Sequence, residues 1–442
     1  MSKQTTLQKI SAWISDNIVT VVFLTFTIVG FIVSKDLSLV FFLTQLSERI
    51  FRNAFLILSL IIPVIAGLGM NFGIVVGAMA AQIALFAVRY FEMGNIPGLL
   101  LMVLIATPIA ILFGFLTGIL YNNTKGQEMI AGLILSYFAN GVYQLIMLVI
   151  IGAVIPVNPT HPLINPSGIG VRMTIDLVAL NKGGLRGVID AIYQIPFMQA
   201  VLLFSIGILA FVVIRFVMSR KKPDAEKQNP VTLGIIGGIC VLFAGISIAA
   251  LSVGKPGPDV NPETYTMLQS LMTVKDAPVA NIVLILLLCL FTNFFLKTKL
   301  GQDFRSVGQS QHIAEIAGVN VNRTRIIAVI FSTVLASWGH IIYLQNMGTV
   351  STYGAHSQIG LFSVAALLIG GATTSKATVK NAILGCTIFH AMFIVSPEIG
   401  KAVFGNALLG EYFRTFMAYG VIGLSLGLFA WNTAKKARPK IE

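Results

Sequence analysis

Long runs of apolar residues, separated by short polar stretches, make up most of the chain. A helix needs about 20 predominantly apolar residues to cross the hydrocarbon core of a bilayer. About a dozen segments approach this length, and several of them are too short to cross unbroken. We therefore predict an all-α, polytopic integral membrane protein with about ten to twelve transmembrane segments, some broken or re-entrant. The first of them, residues 17–34, is predicted to be an N-terminal anchor span.

Two apolar segments are interrupted at glycines rather than by charged loops. The sequence GLGMNFG at 67–73 joins two apolar runs, and IGGATTSKA at 369–377 follows a run too short to span. Irregular backbone at membrane depth is tolerated only where protein or a water-filled cavity satisfies its N–H and C=O groups. Each stretch is therefore either a broken helix beside a central pathway or an ordinary short turn at the cytoplasmic surface.

A polar insert, GQDFRSVGQSQHIAEIAGVNVNRTR, lies between two of the most apolar stretches of the chain. Within it, Ile313, Ile316 and Ala317 recur at spacings of three and four residues, with polar residues between them. This periodicity predicts an amphipathic helix of little more than two turns. We expect Gly308 and Gly318 to break the chain on either side of this helix.

Composition and charge agree with a membrane protein and set its orientation. The chain is 56% hydrophobic and 11% charged, so it has too little polar surface to cover a soluble globule. With both termini in the cytoplasm and alternating spans, 19 of the 30 lysine and arginine residues and nearly all of the +13 net charge lie inside. The positive-inside rule favours this topology. The basic residues are scattered over short loops, which does not predict a nucleic-acid partner.

We predict that residues 1–442 form a single transmembrane domain. Outside the spans, this topology gives two external loops, residues 157–195 and 253–280, which either connect helices or form a platform for an external partner. It also gives a cytoplasmic segment, residues 298–325, and a cytoplasmic tail, residues 433–442.

Chemistry that would indicate an enzyme or a metal site is missing from the sequence. No phosphate-binding loop of the form G-x-x-x-x-G-K-[ST] occurs, so any use of ATP requires another chain. The five histidines show no metal-ligand spacing with one another or with cysteine. Charged residues are almost absent from the span centres, which argues against a carrier that binds its coupling ion through an intramembrane carboxylate. We therefore predict no catalytic residues and no metal site.

Uncharged polar side chains do occur in the spans, and they suit a neutral, hydroxylated or heterocyclic solute. Asn140 and Gln144 are four residues apart and so share a helix face. Our candidate pathway residues are Asn71, Phe72, Gln82, Asn140 and Gln144. The alternative for each polar residue is interhelical hydrogen bonding.

Glycines at four-residue spacing occur three times in the apolar segments. Such pairs let helix backbones approach closely in a membrane, and we expect this role for them rather than contact with a solute. The pairs are Gly73 and Gly77, Gly114 and Gly118, and Gly423 and Gly427.

The stretch from 297 to 385 resembles the permease subunits of ATP-binding-cassette (ABC) importers for simple sugars, nucleosides and branched-chain amino acids. The matching residues are TKLG at 298–301, RSVGQSQHIAEIAGVNV at 305–321 and GLFSVAALLIGG at 360–371. Upstream, AGLGMNFGIVVGAMAA at 66–81 resembles the broken helix beside the pathway of that family. KGQEMIAGLILSYFANGV at 125–142 is similar to a segment of its nucleoside branch.

Two departures bear on the substrate. The G-G-x-D-L-S-x-G motif of the sugar branch is absent, and so is the E-G-Q that follows N-I-G in the nucleoside branch. The resemblance therefore implies a neutral small solute, a nucleoside first and a monosaccharide of the ribose or galactose type as the alternative.

The resemblance also implies partners and a location. Residues 1–442 become one permease domain, and ATP and Mg²⁺ are bound by separate cytoplasmic ABC ATPase subunits, with no cofactor in this chain. The other implied partners are a second permease subunit of the same or a similar chain, an extracellular solute-binding protein and the lipid bilayer. The location implied is the bacterial cytoplasmic (inner) membrane.

In that family the insert is the coupling element that docks into the ATPase. We call residues 298–325 the coupling segment. The residues expected to couple to the ATPase are Arg305, Gly308, Gln309, Ala314, Glu315 and Gly318.

Two interpretations from other functional classes remain open at this point. One is an ion-coupled secondary carrier that works without an ATPase. The other is a membrane scaffold whose cytoplasmic insert recruits a different partner.

Overall fold

The structure is a computed structural model that describes residues 17–34, 37–178, 183–220, 230–257 and 265–437. The chain divides into two compact units. Unit 1 comprises Met1–Leu37, Glu48–Asp190 and Ala280–Glu442, and unit 2 comprises Ser38–Ser47 and Ala191–Val279. The last five residues of the predicted cytoplasmic tail lie outside the described residues.

The described chain is built almost entirely from α-helices. In chain order they are α1 (Ile18–Val33), α2 (Leu39–Ser59), α3 (Ile61–Ile65), α4 (Ile74–Tyr90), α5 (Asn95–Asn123), α6 (Glu128–Leu145), α7 (Phe197–Arg220), α8 (Pro230–Val253), α9 (Met267–Leu271), α10 (Val279–Phe295), α11 (Lys299–Gln309), α12 (Gln311–Ile316), α13 (Val321–Gln345), α14 (Ile359–Ile369), α15 (Val379–Phe404) and α16 (Ala407–Ala437). After α6 the chain continues into a π-helical turn, Ile146–Ile150, and a short helical turn, Ile151–Ala153.

Four short strands accompany the helices: β1 (Thr174–Asp176), β2 (Gln194–Ile195), β3 (Ala277–Pro278) and β4 (Thr349–Ser351). In unit 1, β1 pairs antiparallel with β4, so that Thr174 lies opposite Ser351. In unit 2, β2 pairs antiparallel with β3. The two stretches predicted as external loops therefore contain ordered strands.

The helices account for a membrane-spanning fold. Within the described residues, six are long and apolar enough to cross a bilayer, or seven if α10 and α11, bent by 74°, form one span. Three shorter apolar helices, α1, α4 and α14, accompany them. The predicted fold class, an all-α polytopic membrane protein with broken segments, is confirmed.

Helix α13 lies inside unit 1 and is packed through glycine faces of its neighbours. A Cβ atom on Gly77 would lie 2.5 Å from the carbonyl oxygen of Thr333, and one on Gly114 would lie 2.8 Å from the Cα of Ile330. Gly118 is equally close to α13. Helices in lipid associate through van der Waals packing, which small residues permit. The packing role predicted for these three glycines is confirmed.

The third glycine pair behaves differently. Gly423 and Gly427 lie on an exposed face of α16, and among the described residues nothing approaches within 4 Å of a Cβ atom placed on either. Close packing among the described residues therefore does not explain this pair, because none of the described helices lies against that face.

Unit 2 contains a helical hairpin in which α7 packs against α8. Its small core consists of Met198, Ala250, Leu271 and Met272. Thr266 begins α9 with a capping box, in which its hydroxyl and the side chain of Gln269 each satisfy a backbone N–H.

Replacing Gly114 with leucine should destabilise the fold, because the new side chain would collide with the backbone of α13. Overpacking of this kind costs about 1–3 kcal/mol, which should lower the melting temperature of the detergent-purified protein by several degrees. The matched control is Gly207→Leu on α7, where nothing lies within 4 Å of the added Cβ. Equal melting temperatures for the two variants would contradict the close approach of α5 to α13.

Candidate functional site

The stretch between α3 and α4, residues 66–73, is irregular backbone, and we call it the helix break. Gly67 and Gly69 have φ values of 74° and 69°, a conformation that glycine adopts without a steric cost. The segment is buried or half-buried throughout. Local hydrogen bonds satisfy part of its backbone, including Leu68 N–H to Pro63 O at 3.0 Å and Phe72 N–H to Met70 O at 3.1 Å. This is the internal satisfaction that irregular backbone in a membrane protein requires.

Asn71 anchors this break to two helices. Its Oδ1 accepts a hydrogen bond from the Tyr121 hydroxyl at 2.7 Å, and its Nδ2 donates to Ser332 Oγ at 3.3 Å. The side chain is buried and does not line the cavity described next. Asn71 therefore holds the break against α5 and α13, whereas its neighbour Phe72 reaches the cavity.

A cavity that opens to the surface lies between the break, α6 and the first turn of α14. Most of its wall is apolar, and its polar side chains carry no charge. The lining residues are Phe72, Val75, Leu133, Ser136, Tyr137, Asn140, Ser357, Gly360 and Leu361. The cavity thus contains two of the five predicted pathway residues, Phe72 and Asn140.

His356 brings Gln82 and Gln144 close to that wall through hydrogen bonds. Its Nδ1 contacts Gln82 Oε1, and its Nε2 lies 2.8 Å from Asn140 Oδ1. Gln144 Nε2 lies 3.4 Å from the same Asn140 oxygen, and the edge of the Tyr143 ring packs on the imidazole. Two predicted residues from two helices, Gln82 and Asn140, therefore meet at one histidine that the sequence did not single out, and Gln144 joins them through Asn140.

The position of His356 follows from the length of α14. This helix has 11 residues, or about 16 Å, roughly half of the hydrocarbon thickness. The chain must therefore turn inside the bundle before α14 begins, and His356 and Ser357 lie in that turn. The sequence signal was the polar run STYGAHSQ in front of an apolar run too short to span.

A second cavity is lined by other residues of α14 and by parts of α2, α13 and α15. Asn53, Tyr343, Gln358, Ser363 and His390 contribute its polar groups. His390 is buried, and its Nδ1 has no hydrogen-bond partner among the described residues. None of the predicted pathway residues lines this cavity.

The coupling segment folds as two short helices, α11 and α12, followed by the start of α13. Side chains of Thr298, Ser310 and Asn320 cap the three helices in turn, which satisfies backbone N–H groups at their first turns. The break expected at Gly308 is wrong: Gly308 lies within α11, and the chain breaks at Ser310, whose backbone is extended. The hydroxyl cap of Ser310 explains the shift, because it starts α12 there. The break expected at Gly318 is confirmed by its φ of 83°.

The exposed face of α12 carries two isoleucine side chains beside polar ones. Ile313 is 66% exposed and Ile316 is 75% exposed, whereas Ala314 is fully buried and packs with Val307 and Val321. Of the residues predicted to couple to the ATPase, four are exposed, Gly308 is half-buried and Ala314 is buried; the exposed ones are Arg305, Gln309, Glu315 and Gly318. Ala314 therefore fixes α12 on its support and leaves the two isoleucines outside.

The coupling segment touches the helix break directly, backbone against backbone. A Cβ atom on Gly308 would overlap the carbonyl oxygen of Ile65, and one on Gly67 would lie 2.8 Å from the Cα of Gly308. No side chain intervenes to absorb a displacement. The backbone of α11 is therefore in direct contact with the segment that carries Asn71 and Phe72.

A buried ion pair makes a second connection, from the end of the coupling segment to α6. Arg325 pairs with Glu128 at the first residue of α6, and it also donates to Tyr121 O and Asn122 Oδ1, each at 3.0 Å. Both charged side chains are buried. The helix that carries Ser136 and Asn140 is thus tied at its start to the beginning of α13.

A family model described as the permease component of the branched-chain amino acid transport system matches residues 51–426, most of the chain. The chain belongs to this permease family. No solved structure shows a significant match to the permease.

Curated relatives of the permease come from several transport systems. It is 32% identical over 94 residues to the nucleoside ABC transporter permease protein NupB of Lactococcus lactis, covering 20% of this chain and 25% of that protein. It is 31% identical over 98 residues to the probable ABC transporter permease protein YphD of Escherichia coli, covering 22% and 29%. It is 29% identical over 157 residues to the autoinducer 2 import system permease protein LsrC of Klebsiella pneumoniae, covering 35% and 42%.

The matched regions of the permease therefore span less than half the length of these relatives. All three are named as permeases, which are transport subunits rather than enzymes. Their names differ in the solute, so they support the permease family and leave the substrate of this chain to the chemistry of its own cavity.

Replacing Glu128 with glutamine should destabilise the permease, because it leaves the buried guanidinium of Arg325 without its counter-charge. Removing one partner of a buried pair costs about 3–5 kcal/mol, and the loss should appear as a large drop in melting temperature in detergent. The control is Arg323→Gln, which removes an exposed charge two residues before Arg325. A Glu128→Gln protein as stable as this control would show that the pair does not hold α6 to α13.

Proposed function

We propose that this permease forms the translocation pathway for a neutral small solute, a nucleoside, in an ABC importer. The observation that carries the proposal is an uncharged polar cavity whose wall, at Phe72, belongs to the same helix break that Gly308 of the coupling segment touches. A pathway and a docking element in rigid contact are what an importer driven by a separate ATPase needs.

The cavity chemistry favours a neutral solute. Its polar lining groups are the side chains of Ser136, Tyr137, Asn140 and Ser357, and no lining residue could form an ion pair with a charged substrate. Aromatic and aliphatic walls at Phe72, Tyr137 and Leu361 suit a planar ring. The nucleoside transporter among the relatives supports the same choice. A monosaccharide of the ribose or galactose type is the second candidate, because the lining hydroxyls and amide also fit sugar hydroxyls.

The partners follow from the same proposal. Cytoplasmic ABC ATPase subunits bind ATP and Mg²⁺ and hydrolyse ATP, and the coupling segment docks into them through the exposed face of α12. A second permease subunit of the same or a similar chain completes the pathway, and an extracellular solute-binding protein delivers the solute. We place the chain in the bacterial inner membrane with both termini cytoplasmic, which puts the coupling segment on the ATPase side.

Uptake of labelled uridine, adenosine, ribose and galactose in a strain lacking the gene, with and without the restored gene, tests this function. We expect gene-dependent uptake of a nucleoside and a reduction of about tenfold or more with Asn140→Leu, since this change removes an amide worth about 1–1.5 kcal/mol of hydrogen bonding from the pathway. Ile134→Leu on the exposed side of α6 is the control for membrane insertion.

Two outcomes would contradict the proposal in different ways. If none of the four solutes depends on the gene, the solute class is wrong. If the purified permease alone in proteoliposomes accumulates solute from an ion gradient, the protein is a secondary carrier and the ATPase partner is wrong.

Ile316→Asp should abolish co-purification of the ATPase subunit while leaving the melting temperature of the permease unchanged. The side chain is 75% exposed, so a charge costs little in the isolated chain but would be buried without a partner in a docked complex. Ser375→Asp, an exposed position in the turn between α14 and α15, is the matched control. Normal ATPase recovery with Ile316→Asp would exclude α12 as the docking face.

A further inference from the structure

The hydroxyl groups of two cavity residues point their hydrogens into the protein. Ser136 Oγ lies 2.8 Å from the carbonyl oxygens of both Gly132 and Phe72, and Ser357 Oγ lies 2.8 Å from the carbonyl oxygen of Gly354. A carbonyl can only accept a hydrogen bond, and a hydroxyl has one hydrogen to give. Each serine therefore uses its hydrogen on the backbone and keeps lone pairs for anything that enters the cavity.

The orientation of the Asn140 amide is set by a chain of hydrogen bonds that starts at a backbone carbonyl. Gln82 Nε2 donates to the carbonyl oxygen of Ser351 at 3.2 Å. Because that oxygen only accepts, the nitrogen of the Gln82 amide must face it, and Gln82 Oε1 must face His356 Nδ1. His356 Nδ1 therefore carries a hydrogen, since its partner is an acceptor.

The position of the hydrogen on His356 then determines which atom of the Asn140 amide faces the imidazole. The imidazole is fully buried, and its two hydrogen-bond partners are amides rather than carboxylates, so the neutral form is the one the site accommodates. A neutral imidazole with hydrogen on Nδ1 has only a lone pair on Nε2. The Asn140 atom 2.8 Å away must then be the nitrogen. A half turn of the amide, whose two ends have nearly the same shape, places Nδ2 there.

That half turn leaves Asn140 Oδ1 without a hydrogen-bond partner among the described residues, and Asn140 lines the cavity. The Gln144 amide, 3.4 Å from Asn140, can make the same half turn and then accept a hydrogen bond from Asn140 Nδ2. Among the described residues, no hydrogen bond to the backbone fixes the Gln144 amide in its present orientation. Asn140, Ser136 and Ser357 then all offer acceptors to the cavity. Only the Tyr137 hydroxyl, on an exposed side chain, is free to donate.

We propose that the cavity reads hydrogen-bond donors: it selects neutral solutes that present several O–H or N–H groups, and His356 with Gln82 acts as the positioning pair that makes Asn140 an acceptor. The solute class is therefore a polyhydroxylated ring such as a ribose or hexose moiety, recognised through its hydroxyl hydrogens. This inference rests on the proposed function, because it describes the same pathway.

The test compares uptake of uridine with that of 2′-deoxyuridine and 2′-deoxy-2′-fluorouridine, and of the corresponding 3′ compounds. Fluorine is similar in size to a hydroxyl and keeps its electronegativity but has no hydrogen to donate. Each uptake rate is divided by the affinity of the solute-binding protein for the same compound, which removes the selectivity of that protein. At the hydroxyl position that contacts the cavity, this normalised uptake rate should be about tenfold lower for both the deoxy and the fluoro compound than for uridine.

The variant Gln82→Met tests the positioning pair. Without the Gln82 oxygen, His356 is free to carry its hydrogen on Nε2 and to donate to Asn140 Oδ1, which turns the amide nitrogen into the cavity. The fluoro-to-uridine uptake ratio should then rise about tenfold. Gln144→Met makes the same chemical change at the other neighbour of Asn140 and should leave this ratio unchanged, whereas a purely structural role for Gln82 would lower all rates alike.

The outcomes separate the inference from the function on which it rests. Wild-type uptake of the fluoro compounds equal to uridine would overturn donor reading while leaving a nucleoside importer in place. If Gln82→Met does not fold, the analogue series with the wild-type protein still decides whether the cavity recognises hydroxyl hydrogens. If uridine is not taken up, galactose and its deoxyfluoro analogues replace the uridine series. If neither nucleosides nor sugars are taken up, the proposed function and this inference are both overturned.

Discussion

The contact between Gly67 and Gly308 is the constraint on which the functional part of this structure depends. Two backbones meet there with no side chain between them, so the coupling segment and the helix break have one relative position rather than a range. A packed contact of this kind transmits displacement because protein interiors are dense and scarcely compressible. The cavity wall at Phe72 begins five residues from that contact, so the proposed pathway and the proposed docking element share one short stretch of backbone.

Half-length helices are the second condition for such a site. A pathway in a membrane needs polar groups at depth, and irregular backbone can exist there only where the protein satisfies it. The break at 66–73 and the short helix α14 supply that backbone, and the side chains of Asn71, Gln82 and Tyr143 bond to partners around both. Tyr143, for example, donates to the carbonyl oxygen of Thr352 in the turn before α14. These polar residues of the spans thus hold irregular backbone in place through hydrogen bonds within the protein.

Periodicity and hydropathy predicted the fold class and the exit of the coupling helix at Gly318, since both depend on local sequence. They also marked the glycine stretch at 67–73 as either a broken helix or a short turn, and they gave Gln82 and Asn140, the two hydrogen-bond partners of His356. His356 itself was out of reach, because its role depends on a turn inside the bundle that brings α4 and α6 to the start of α14. The Gly308 break failed for a local reason, the cap at Ser310, and the burial of Ala314 depends on Val307 and Val321, which meet it only in the folded segment.

The strand pairing of the outer loop has a consequence for engineering and for divergence between related permeases. Ser351, whose carbonyl oxygen orients Gln82, belongs to β4 and is held in register by Thr174 of β1. A register slip of one residue in such a pair exchanges the faces on which its groups lie. A chimera that exchanges the loop around β1 and shifts this register would therefore move the carbonyl oxygen that orients Gln82, without altering a single residue of the cavity wall.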